Sequence, residues 1–113
     1  MAKMRKDNRI KKRISELNRI YSRLPDKKRS IAEHLIQNAA FMEIELEELR
    51  EVIAESGASE EYQNGANQHG RKASADLQAY NSLIKSYNMV NSRLEAMLPP
   101  EDDNDDLAEF LDG

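Results

Sequence analysis

Residues 26–56 read DKKRSIAEHLIQNAAFMEIELEELREVIAES, and this stretch decides the fold. Ile31, Leu35, Ala39, Met42, Leu46, Leu49 and Ile53 recur at steps of three and four, the spacing that puts side chains on one face of an α-helix. Pro25 or Asp26 starts the helix and Gly57 supplies the stop. About 30 helical residues span about 45 Å, more than a compact domain of this size needs. Off the main stripe the helix carries Ile36, Ala40, Phe41, Ile44 and Val52. Covering these calls for a second contact surface, and the simplest expectation is another copy of the chain, with Ile36, Phe41, Ile44 and Val52 at the interface.

Towards the N-terminus, Ile10, Ile14, Leu17, Tyr21 and Leu24 predict a helix over about residues 5–23, ended by Pro25. At 100° per residue Arg5, Lys12, Arg19 and Arg23 project opposite that stripe, with Arg9 at the edge. Towards the C-terminus, Ser74 predicts an N-cap, and Leu77, Tyr80, Ile84, Tyr87, Asn91, Leu94 and Leu98 continue a helix that stops before Pro99-Pro100. Residues 57–73 are too long for a tight helical turn and predict a functional or structurally locking loop. The expected fold is all-α. A basic helix (1–24) precedes a long antiparallel hairpin of helices two and three (25–98), followed by an acidic tail (99–113) with nothing to bury and expected to be disordered.

With 113 residues, the chain has room for one domain. Charged residues make up 34% and aromatics 5%, and Leu, Ile, Val and Phe number 23, so a large monomeric core is not expected. The absence of Cys excludes disulfides and thiolate metal sites. No apolar run reaches the length of a membrane span and no signal-peptide pattern opens the chain, so a soluble, intracellular protein is expected. The net charge of −4 hides a polarity: residues 1–29 carry twelve Lys/Arg against three acids, and residues 101–113 carry seven acids and no base. This pattern points to a nucleic-acid-facing element and an acidic interaction segment.

Catalytic chemistry finds no constellation. His34 and His69 are the two histidines, and neither has a supporting nucleophile or acid nearby in sequence. Glu43, Glu47 and Glu51 repeat every four residues, a spacing read as a solvated acidic face rather than a metal site. Neither Gly65 nor Gly70 is followed by the Lys-Ser/Thr of a phosphate-binding loop. No enzyme, cofactor or metal is expected. Lys and Arg on one helix face suffice for sequence-independent phosphate binding, and Lys27-Lys28-Arg29 sit at a helix start whose free N–H groups favour anions. The candidate DNA-binding set is therefore Arg5, Arg9, Lys12, Arg19, Arg23, Lys27, Lys28 and Arg29. An acidic protein partner for the Lys27-Lys28-Arg29 cluster stays open, and no helix-turn-helix supports base readout.

Several strings together carry a resemblance: Asn38-Ala39-Ala40-Phe41-Met42-Glu43, Leu46-Glu47-Glu48-Leu49-Arg50, Glu61-Tyr62-Gln63-Asn64-Gly65-Ala66-Asn67-Gln68, Ala79-Tyr80-Asn81, Ile84-Lys85 and Tyr87-Asn88. Over residues 10–100 the chain resembles the small terminase subunit of tailed double-stranded-DNA phages, in its short form without a separate helix-turn-helix domain. It departs at Ala75, where such sequences often have Ser-Pro. The resemblance implies a non-enzymatic packaging factor in the cytoplasm of an infected bacterium. Such a factor assembles as a homo-oligomeric ring, binds viral DNA and hands it to the large ATPase and nuclease subunit. Leu107, Phe110 and Leu111, at helical spacing among acids, are the expected contact for that large subunit. The alternatives are a structural coiled-coil adaptor and a small dimeric DNA-binding regulator. A further alternative for the tail is that it folds back on the chain's own basic helix.

Overall fold

A computed structural model describes residues 5–63, 65 and 69–100. Its elements run α1 (Lys6–Ile20), α2 (Asp26–Ser56), β1 (Ser59–Gln63), β2 (His69–Ala73) and α3 (Ala75–Met97). The three helices and the packing of α2 on α3 are those the apolar spacing predicts. Glu43 interacts with Tyr87, and Leu94 near the end of α3 clusters with Ala32 and Ile36 near the start of α2, so α2 and α3 run antiparallel. The molecule extends 68 × 32 × 32 Å with a radius of gyration of 20.0 Å, well beyond the about 13 Å of a compact domain of this length.

α1 ends three residues earlier than its periodicity suggests. The Arg19 carbonyl accepts from both the Ser22 amide and the Ser22 hydroxyl, at 3.4 and 2.9 Å, and this tight turn carries the chain to Pro25. The Pro25 carbonyl then accepts the Arg29 amide at 2.8 Å to begin α2. At the other end Gly57, with φ of 88°, closes α2 through its N–H on the Ile53 carbonyl.

The connection over 57–73, expected as a functional or structurally locking loop, contains an antiparallel β-hairpin. Ser59 faces Ala73 and Gln63 faces His69, and the Ser74 amide ties the base to the Ala58 carbonyl at 3.0 Å. The strands lack apolar alternation and are held by opposite charges across the register. Lys72 reaches Glu60 at 3.6 Å and Arg71 reaches Glu61 at 3.7 Å. Gly65, with φ of 80°, supplies the left-handed residue of the turn.

α3 starts as expected, with the Ser74 hydroxyl accepting the Leu77 amide at 3.0 Å while Ser74 itself is buried. Ser74→Ala should cost about 1 kcal/mol in urea unfolding and Ser74→Gly only a few tenths, since Gly tolerates the cap backbone.

The core departs from the expected stripe on α2. Ala32, Ile36, Ala40 and Ile44, a row of four-residue steps, are buried together with Ala39 and Leu46, whereas Ile31 stays 57% exposed. Leu17, Tyr21 and Leu24 of the α1 side and Leu94 of α3 share one cluster with Ala32, Ile36, Ala39 and Ala40. The second contact surface that α2 demands is thus largely the chain's own α1. Ile36 and Ile44, expected to face another copy, are instead covered within the chain, at 1% and 6% exposure. Phe41 and Val52 remain exposed.

A candidate nucleic-acid interface

α1 presents two cationic rows with different fates. Lys6, Arg9 and Arg13, at steps of three and four, run along the flank that meets α2. Lys6 pairs with Glu45 and, at 3.1 Å, with Glu48. The Arg9 guanidinium pairs with Glu47 and, at 3.7 Å, with Glu48. Arg13 donates from Nε to Glu43 at 2.8 Å and from Nη1 to Glu16 at 3.0 Å. Lys6 also lies 6.0 Å from the centroid of the Phe41 ring. Each exposed pair adds at most about 1 kcal/mol, but a network that clamps two helices fixes which face of α1 docks.

This network corrects two expectations. Arg9 is no free phosphate ligand, because both ends of its guanidinium are engaged by carboxylates and its side chain is only 17% exposed. Glu43 and Glu47 are not merely solvated, since they receive Arg13 and Arg9 while staying 21% and 44% exposed. Lys6 and Arg13 were not singled out by sequence; their signal is the match between their spacing and the Glu run of α2.

The outer row consists of Arg5, Lys12, Arg19 and Arg23, all exposed. Lys12 and Arg19 are two turns apart, about 10.5 Å along the axis, and Arg5 adds another two turns. Among the described residues Arg5 has only Asp7, at 4.0 Å. Among the described residues, Lys12, Arg19, Arg23, Lys27 and Lys28 have no carboxylate within ion-pair distance. Lys27 and Lys28 continue the patch around the α1–α2 corner on the first turn of α2, whose N-terminus has no side-chain cap. Arg29 has a different task. It holds Asp26 at 3.1 Å and the Ser22 carbonyl at 3.2 Å, bracing the corner while its side chain stays 47% exposed.

Arg71 and Lys72 lie on β2, and their cross-strand partners Glu61 and Glu60 engage them. His34 is exposed on α2. Among the described residues no group of three His, Cys, Asp or Glu side chains is placed to hold a metal ion. No described helix is long and apolar enough to cross a membrane. Phe41, Glu45, Leu49, Ala79, Leu83 and their neighbours line an open α2–α3 groove of about 440 Å³. Val52 lies on the Phe41 side of α2, 20° away around the helix after eleven residues. Leu107, Phe110 and Leu111 lie outside the described residues, as does the whole acidic segment 101–113.

The chain matches no family model, no curated protein and no solved structure.

Titration of the core follows from its packing. Burial pushes the Tyr21 hydroxyl above its ordinary 10.0, and the Glu95 charge adds to the effect. Burial also raises Tyr87, with Glu43 adding to it and Arg13 opposing. The Lys6 ammonium is raised chiefly by its bond to Glu45, then by that to Glu48. All three values lie above those of the unfolded chain, so their stabilisation is complete below pH about 10 and lost as the pH rises through their folded values. The melting temperature should therefore fall above pH about 10, and Tyr21→Phe/Tyr87→Phe should flatten that fall in circular-dichroism melts.

Proposed function

We propose that the protein is a non-catalytic, DNA-binding small terminase subunit that engages viral DNA for packaging in the cytoplasm of an infected bacterium. The observation that carries this reading is the division of α1. Carboxylates of α2 neutralise the inner row completely, while Arg5, Lys12, Arg19 and Arg23 are left facing solvent and Lys27 and Lys28 extend them. A row of cations along one helix face neutralises phosphates without reading bases, and its affinity comes from counterion release. An electrophoretic mobility shift across a salt series tests it. The expected result is binding to any duplex that weakens steeply between 50 and 200 mM salt, and flat or absent binding rejects it.

Assembly into a ring of copies belongs to the same reading, as does handover to the large ATPase and nuclease subunit through Leu107, Phe110 and Leu111. The surface that supports assembly is the strip of Phe41, Val52, Leu49 and Leu83, partly or largely exposed beside the α2–α3 groove. Phe41→Asp should reduce the mass measured by light scattering while leaving helicity intact. Ile44→Asp is no test of assembly, because it would unfold the subunit itself.

A second reading, a structural helical adaptor, is favoured by the use of Lys6, Arg9 and Arg13 as intramolecular clamps. It predicts an oligomer that shows no shift with DNA even at 50 mM salt.

A further inference from the structure

At the α1–α2 corner the chain forms a second groove, of about 420 Å³, lined by Arg23, Leu24, Pro25 and Lys28 on one side and by Ala96, Met97, Leu98, Pro99 and Pro100 on the other. Two features set it apart from the other grooves. Its charged lining is cationic, from Arg23 and Lys28, both exposed. Pro100 itself belongs to the wall, and the next residue in the sequence is Glu101. Glu101, Asp102, Asp103, Asp105 and Asp106 follow with no base among them. Six residues reach up to about 20 Å when extended, more than enough to cross a groove of this size.

We propose that residues 101–106 dock in cis on this corner, with their carboxylates on Arg23 and Lys28, and compete there with DNA phosphates. The proposal rests on the reading of the outer α1 row as the DNA surface. The charges that oppose docking are few. Asp26 is engaged by Arg29 at 3.1 Å, and Glu95, one turn before Pro99, is exposed. The tail meets its site at the high effective concentration of a short tether, about 1 mM, so even a weak intrinsic affinity of about 0.1 mM keeps the corner about nine-tenths occupied. DNA with several phosphates displaces it and frees the segment that ends in Leu107, Phe110 and Leu111. Binding of DNA and exposure of that apolar end are thereby coupled, and DNA too short to span the corner does not release it.

The chain contains no cysteine, so a single engineered pair reports docking without DNA. Ser22→Cys beside Arg23 and Asn104→Cys in the acidic run should form an intramolecular disulfide at least about fivefold faster than in the same chain carrying Glu101→Gln and Asp102, Asp103, Asp105 and Asp106→Asn. The difference should vanish at 0.5 M salt, where screening leaves little attraction. Equal rates at low salt overturn the proposal, and so does a cross-linked dimer in place of a cross-linked monomer, which would mean docking on another copy. In the full-length chain without cysteines, the five neutralising changes should tighten duplex DNA binding about tenfold at 50 mM salt and leave it unchanged at 0.5 M. Unaltered affinity overturns the competition. If neither form binds DNA while the disulfide rate still depends on the acids, the DNA reading fails and docking stands.

Discussion

Leu94→Ala should lower the unfolding free energy by about 3 kcal/mol and the melting temperature by about 12 °C. Leu94 is fully buried in the one cluster where all three helices meet, beside Leu17, Tyr21, Leu24 and Ile36. Removing its isobutyl group deletes buried apolar surface and leaves a cavity, because residues from three separate elements cannot all move into it. A domain of this size has a total stability of about 5–15 kcal/mol, so the loss is a large share of the whole. Met89, on the same helix and 59% exposed, provides the control. Met89→Ala should change stability by less than about 0.5 kcal/mol in the same urea titration. Equal effects at the two positions would mean that the α3 face is misassigned.

Replacing Arg5, Lys12, Arg19, Arg23, Lys27 and Lys28 with Gln should nearly abolish duplex binding at 100 mM salt. It should also reduce the slope of log affinity against log salt by about 5, since each phosphate contact contributes about 0.9. The six side chains are exposed, so circular dichroism should show the fold unaltered. The informative comparison is Lys6, Arg9 and Arg13→Gln, which removes half as many charges from the same helix. Those three are clamped by Glu43, Glu45, Glu47 and Glu48 and make no phosphate contact in this arrangement. Their loss should leave the salt slope within about 1 of the parent value while loosening α1 from α2, seen as a lower melting temperature. A slope that falls by about 3 in this triple variant would move the DNA surface to the inner flank.

The ends of α2 and α3 are legible in the chain because each is marked by a residue with one physical meaning. Pro25 starts α2, Gly57 with its positive φ stops it, and Ser74 caps α3. The register of the core on α2 is not legible. Ile31, Ala32, Leu35, Ile36, Ala39 and Ala40 supply apolar groups over about half its circumference, so several stripes fit equally well. Only the docking of α1 selects Ala32, Ile36, Ala40 and Ile44 and leaves Ile31 outside. The β-hairpin is hidden for another reason. Its strands carry Glu60, Glu61, Arg71 and Lys72 instead of alternating apolar residues, and the attraction that holds them depends on a pairing register that sequence alone does not display. In the candidate interface, the outer row follows from projecting 100° per residue. The loss of Arg9 from that set does not, because it depends on which carboxylates a neighbouring helix brings across.

Among the described residues, every buried one except Ser74 falls within residues 17–46 or at Leu94, at the end of the molecule where α1 meets the helical pair. Beyond Leu46 the chain continues as a two-helix stalk, with Leu49, Ile53, Leu77, Tyr80 and Ile84 only half covered and the hairpin at its tip. Such a stalk unravels on its own, without disturbing the three-helix end, at a lower free energy than global unfolding requires. Backbone amides of α2 beyond residue 50 and of α3 up to residue 84 should therefore exchange with solvent through these partial openings long before those around Ile36 and Leu94. Neighbours that cover the stalk would close this route, so exchange there would slow with rising protein concentration, and the stalk would report assembly from within the subunit.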